Sequence, residues 1–146
     1  MKKILTIALF LGIFSATQAQ EMKALEVVLK KGIASFYHDK FNGRKTATGE
    51  TFQNSKFTAA SNQLRLNTYI KVTNLSNNKV VYVRVNDRMA SNNPRLVDLS
   101  ETAAQSLDYT SKGLTKVKLE VVSDEEGKRA ILAQREAIDC KKNNTL

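Results

Sequence analysis

Two runs of strict alternation joined by a four-residue turn constrain this chain more than any other feature. In Tyr69–Leu75, Ile70 and Val72 alternate with Tyr69, Lys71 and Thr73. In Val80–Val85, Val81, Val83 and Val85 alternate with Tyr82 and Arg84. A two-residue period turns one face of each run to a core and the other to solvent. Ser76-Asn77-Asn78-Lys79 supplies turn residues between them, so the pair predicts an antiparallel hairpin. The second run ends in Asn86-Asp87-Arg88, which sets a carboxylate among cations where the chain leaves the sheet. Such a group suits proton transfer on a polar substrate. A surface salt bridge with Arg84 or Arg88 is the plainer alternative.

The same β character recurs along the chain. Ile33–Tyr37 predicts a strand, followed by a polar, glycine-bearing loop over His38–Thr51. Arg95–Leu99 predicts another. Ser100 then N-caps a short helix whose apolar face is Ala103, Ala104 and Leu107, with Glu101 well placed in its first turn. After Gly113, alternation returns over Leu114–Val122, with Val117, Leu119 and Val121 on one face. Many short strands and one brief helix predict an all-β fold closed into a small barrel, which leaves no exposed edges.

The ends differ from the middle. Met1-Lys2-Lys3, an apolar run from Ile4 to Phe14, and Ala16-Thr17-Gln18-Ala19 predict a signal peptide over residues 1–19. The apolar run is short for a bilayer span, so no stable membrane insertion is expected once it is removed. No cysteine lies near the cut to carry a lipid anchor. The expected location is therefore exported, periplasmic or extracellular. Residues 20–31 read as a leader that adds an edge strand or serves as a linker. Residues 123–146 read as a charged extension with a weakly amphipathic piece at Ala130–Ile138, either solvated or a partner-binding helix.

The composition excludes several functions. Cys140 and His38 are each the sole residue of their type, so neither a disulfide framework nor a Cys/His zinc site is expected, and no cofactor or metal is implied. The formal charge of +9 suits an acidic partner such as nucleic acid, anionic lipid or an acidic wall polymer. The basic residues are scattered and do not interleave with aromatics, which argues against nucleic acid.

Taken in order, six phrases resemble the RlpA-like (rare lipoprotein A) double-psi β-barrel family. They are Gly32-Ile33-Ala34-Ser35-Phe36-Tyr37, the stretch Phe41–Glu50, Phe57-Thr58-Ala59-Ala60, Val72-Thr73-Asn74-Leu75, Val83–Arg88 and Val97-Asp98-Leu99-Ser100. They cover residues 32–122. The resemblance implies a six-stranded double-psi barrel with one short helix and a groove for β-1,4-linked glycans. It also implies a lytic transglycosylase acting on peptidoglycan strands stripped of peptides, in which the sugar's own 6-hydroxyl attacks the anomeric carbon. One acid/base group suffices for that reaction, without the usual carboxylate pair.

By the same resemblance the catalytic positions are Asp87 and Glu50, and the family's histidine position is Ser61. Serine can hydrogen-bond a sugar but cannot relay a proton as imidazole does. The loop after Asp87 also departs from the family, reading Arg88-Met89-Ala90 where glycine and proline are usual. The family's full-length members often carry a further glycan-binding domain, for which Ser123–Leu146 is too short. Ser61, Tyr37, Asn86 and Arg88 are candidate substrate contacts. Arg44 is a candidate for pairing with one of the carboxylates or for meeting a substrate carboxylate. His38 is expected in an exposed loop, and Phe36 in the core. Two rival functions stay open: a non-catalytic, expansin-like wall-binding module, and a basic protein-binding or inhibitor barrel.

Overall fold

The computed structural model describes residues 29–145, so the signal-peptide expectation and most of the leader lie outside the described residues. Six strands form a closed barrel: β1 (Leu29–Phe36), β2 (Thr58–Ala60), β3 (Tyr69–Asn74), β4 (Val80–Asp87), β5 (Val97–Leu99) and β6 (Thr115–Val122). Their order around the barrel is β1-β5-β2-β4-β3-β6. β1 pairs with β5 and β2 with β4 in parallel, and the remaining neighbours are antiparallel. The last residues of the expected leader belong to β1, against β6.

The hairpin forms as the alternation predicts, with Ile70 opposite Val83 and Val72 opposite Val81. Asn78 adopts a φ of 61° in its turn, a conformation asparagine tolerates. Ile70, Val72, Val81, Val83, Val85, Val117 and Leu119 fill the interior with Leu99, Leu107 and Tyr109. Burying each such aliphatic side chain contributes roughly 1.5–3 kcal/mol. Phe36 packs against this core, edge-on to Tyr109 at 5.9 Å. Asn74, also inside, accepts from the Thr115 hydroxyl and donates to the Leu107 carbonyl, so its polarity is satisfied.

Helix α1 (Glu101–Ser106) is the expected short helix, with the Ser100 hydroxyl accepting from the Ala103 amide. The C-terminal segment is helical and packed, where a solvated extension is the leading expectation. It forms α2 (Asp124–Asn143), N-capped by Ser123 and docked on β3 and β4. Ile131 and Ile138 pack against the core. Gly127 lies so close to Tyr69 that an added Cβ would stand 2.3 Å from the tyrosine Cβ. Gln134 accepts from the Tyr82 amide at 2.7 Å and donates to its carbonyl at 2.9 Å. The Arg84 amide on the same edge of β4 is bonded by the Phe57 carbonyl. The Gln134 side chain thus continues the ladder where the short β2 has not begun.

Candidate active site

β4 delivers the central carboxylate through an irregularity. Its register with β2 runs Thr58 to Arg84 and Ala59 to Val85, then shifts so that Ala60 faces Asp87. Val85 and Asn86 are consequently both buried, and Asp87 emerges half-buried at the strand end. A β-bulge of this kind re-aims the next side chain.

Three donors hold that side chain. The Tyr37 hydroxyl donates to Asp87 Oδ2 at 2.7 Å, and the amides of Ala47 and Arg88 donate to Oδ1 at 2.9 and 2.8 Å. Tyr37 is itself fixed, its ring 4.3 Å from Phe52 and edge-on to Phe41 at 5.6 Å. Burial first, and then the hydrogen bond to Asp87, raise the Tyr37 pKa above its ordinary value of 10.0. The phenol therefore remains a proton-bearing donor at any physiological pH.

The Ala47 amide is presented by a loop folded back on itself. Phe52 donates to the Arg44 carbonyl, Gly43 to the Phe52 carbonyl, and Lys45 bridges Thr51. At the tip, the Gly49 amide bonds the Thr46 carbonyl and the Thr46 amide bonds the Glu50 carbonyl, with Gly49 at a φ of 85°. Glycine adopts that angle without the steric cost of a Cβ. The base of the loop is tied by Asn54. Its amide side chain donates to the Tyr37 carbonyl and to Asp39, and accepts from the Glu101 amide at the start of α1.

The same loop brings in Glu50. Arg84 grips it with two bonds of 2.7 and 2.5 Å, and the Thr48 hydroxyl donates to it at 2.7 Å. Because the single Thr48 proton points at Glu50, the Thr46 hydroxyl must donate to Thr48, 2.9 Å away. The Arg84 hydrogen bonds, reinforced by Thr48 and by the nearby charge of Lys56, lower the Glu50 pKa from 4.5 to about 2. Glu50 is thus an anion with a committed partner, unsuited to proton donation near neutrality.

Several expectations are corrected by this arrangement. Neither arginine pairs with Asp87 among the described residues: Arg84 takes Glu50, and Arg88 donates its guanidinium protons to the carbonyls of Ser61 and Leu64. Ser61 has 0% exposure and donates to the Leu96 carbonyl at 2.9 Å, so it braces the barrel wall and does not face a sugar. Asn86 is buried too, and its carbonyl accepts from the Thr48 amide. Arg44 pairs with neither carboxylate and lies over the Phe41 ring, 5.3 Å from its centre. Tyr37, expected as a substrate contact, instead positions Asp87 with its hydroxyl. His38 is exposed and caps the turn Asp39–Phe41.

Sequence reasoning missed Thr48, Asn54, Asn67 and the Arg95–Asp98 pair. Asn67 accepts from Arg84 at 2.8 Å from a left-handed backbone, φ 67°. Arg95 binds both oxygens of Asp98 at 2.7 and 2.8 Å, and the Asp98 charge adds to the upward shift of Tyr37. The phrase Val97-Asp98-Leu99 reads as strand, and nothing in it signals proximity to Tyr37. Among the described residues no group of three or more His, Cys, Asp or Glu side chains is arranged for a metal ion.

Residues 29–119 match the model of the family described as "Lytic transglycolase", a span covering most of the chain and every residue of the Asp87–Glu50 site. The chain belongs to this family. It is similar to the endolytic peptidoglycan transglycosylase RlpA of Haemophilus influenzae, 47% identical over 94 residues, covering 64% of this chain and 33% of that one. The same-named protein of Campylobacter jejuni is 50% identical over 91 residues, covering 62% and 33%. That of Pasteurella multocida is 42% identical over 112 residues, covering 76% and 38%. The matched part thus spans about a third of each relative's length. Among solved structures, a Streptomyces papain inhibitor aligns with a TM-score of 0.54 at 19% identity, covering 65% of this chain and 94% of that one. A Clavibacter michiganensis expansin aligns at 0.53 and 22%, covering 66% and 51%. At such identities these two share the barrel and no more.

Proposed function

We propose that this protein is an exported peptidoglycan lytic transglycosylase that cleaves peptide-free glycan strands to anhydro-muramic ends, with Asp87 as its acid/base. The observation that carries the reading is Asp87 itself: a half-exposed carboxylate at a bulged strand end, fixed by three donors and, among the described residues, paired with no cation. The names of the family's relatives supply the substrate.

In the proposed reaction, protonated Asp87 gives its proton to the glycosidic oxygen as the bond from that oxygen to the anomeric carbon breaks. The muramic 6-hydroxyl then attacks the anomeric carbon, and its proton passes to the Asp87 carboxylate. One carboxyl thus serves as acid and then as base, and no water is consumed. Tyr37 and the Ala47 amide keep the carboxyl oriented through both halves. Glu50 does not donate a proton. Its charge holds Arg84, and through Thr48 it fixes the loop that presents the Ala47 amide.

The rival is a non-catalytic, expansin-like wall-binding module, favoured by the replacement of the family's histidine with a wholly buried Ser61. Mass spectrometry of peptide-free strands incubated with the protein separates the two. Anhydro-ended fragments support the transglycosylase. Strands bound but left intact support the rival.

A further inference from the structure

Helix α2 lies beyond residue 119, where the family match ends, and it builds something the barrel alone lacks. Between α2 and the barrel wall runs a cleft of about 340 Å³, lined by Lys56, Tyr69 and Arg84 from the barrel and by Lys128, Leu132 and Arg135 from the helix. Among the described residues, no acidic side chain lines it. Arg84 is neutralised by Glu50, whereas Lys56, Lys128 and Arg135 form no salt bridge among the described residues. The lining therefore sets cationic side chains beside aromatic and aliphatic ones. The Gln134 clamp on Tyr82 and the close contact of Gly127 with Tyr69 hold α2 in place, so the cleft is built into the fold.

Arg84 joins this cleft to the Asp87 site. Its guanidinium grips Glu50 on one side and lines the cleft on the other, and along β4 it precedes Asp87 by about 10 Å of extended chain. We propose that the α2 cleft is a subsite for a carboxylate-bearing sugar of the glycan strand, the muramic residue two sugars along from the one being cleaved. A strand stripped of peptides carries a free lactyl carboxylate on every muramic residue. That carboxylate meets Lys128 and Arg135, while the sugar's apolar face lies against Tyr69 and Leu132. The inference rests on the proposed substrate, and it assigns α2 the task of selecting strands without peptides.

The test measures fluorescence anisotropy of end-labelled, peptide-free strands with Asp87→Asn protein, which keeps the strands intact. The second protein carries Lys128→Glu and Arg135→Glu in the same background. Both residues are exposed, and matching melting curves confirm the fold. The double variant is expected to bind roughly tenfold more weakly, from two lost ion pairs and the new repulsion. Strands whose carboxylates are converted to methylamides should bind both proteins equally weakly. Equal affinity of the two proteins for the carboxylate strands overturns the subsite. So does an equal loss on amidated strands, which removes the carboxylate from the recognition. Wild-type protein is assayed in parallel for anhydro ends. Cleavage with charge-independent binding overturns the subsite and leaves the activity. Charge-dependent binding without cleavage overturns the activity and leaves the subsite.

Discussion

Replacing Glu50 by glutamine isolates the electrostatics on which the site is built. Glutamine keeps the shape and can still accept from Thr48 and Arg84, but it removes the charge between them. The folded-state pKa of about 2 lies below the ordinary 4.5, so the folded protein binds this proton less readily than the unfolded chain. The resulting stabilisation is fully present above pH 4.5 and disappears as pH falls through 2. A shift of that size corresponds to roughly 3 kcal/mol for a shielded group. The Glu50 side chain is 40% exposed, however, and water screens the pair, which reduces the contribution to about 1 kcal/mol. Glu50→Gln should therefore lower unfolding free energy by about 1 kcal/mol at pH 7, a fall in Tm of roughly 4 °C. Urea titrations of both proteins at pH 7, 4.5, 3 and 2 provide the measure. The gap should stay constant from pH 7 to about 5, then close by pH 2. A gap that persists unchanged at pH 2, or a variant as stable as wild type at pH 7, would refute the pairing as described.

Other substitutions probe the supports around it. Tyr37→Phe removes one of three anchors on Asp87 and should lower kcat about tenfold with KM unchanged, measured on peptide-free strands. A merely structural role would instead lower the melting temperature and leave kcat intact. Ser61→Ala should cost about 1 kcal/mol in urea unfolding, by stranding the Leu96 carbonyl, and leave kcat unchanged. Gly127→Ala forces a methyl into Tyr69 and should cost about 1–3 kcal/mol, with faster hydrogen exchange at the Tyr82 amide as α2 lifts.

The parts of this fold that are legible in the sequence are those governed by local rules. The β3–β4 hairpin carries both its alternation and its turn chemistry within nineteen positions, Tyr69 to Asp87. Ser100 announces α1 in the same local way. Strand β2 has three residues and exists only through its partners, so no periodicity reveals it. Helix α2 is anchored by a glycine and a glutamine, which in sequence suggest a poor helix former and a solvated side chain.

At the site, the strand-end setting marks Asp87 and the family resemblance alone marks Glu50, while the partners of both are set by tertiary geometry. Arg84 stands three positions from Asp87 yet closes on Glu50, 34 positions away, because alternation turns it outward toward the loop. Arg88 looks like a surface cation, and its guanidinium instead satisfies two wall carbonyls. The bulge that aims Asp87 depends on the register of β2 against β4 and leaves no local trace.

In the proposed mechanism Asp87 performs the proton transfers of a cleavage that consumes no water. Mass spectrometry of peptide-free glycan strands, incubated with wild-type and Asp87→Asn protein of matched stability, tests it most directly. Wild type should produce anhydro-muramic ends, and Asp87→Asn should produce them about 10²–10⁴ times more slowly. Equal rates from the two proteins, or ends that carry a water-derived hydroxyl, would contradict it.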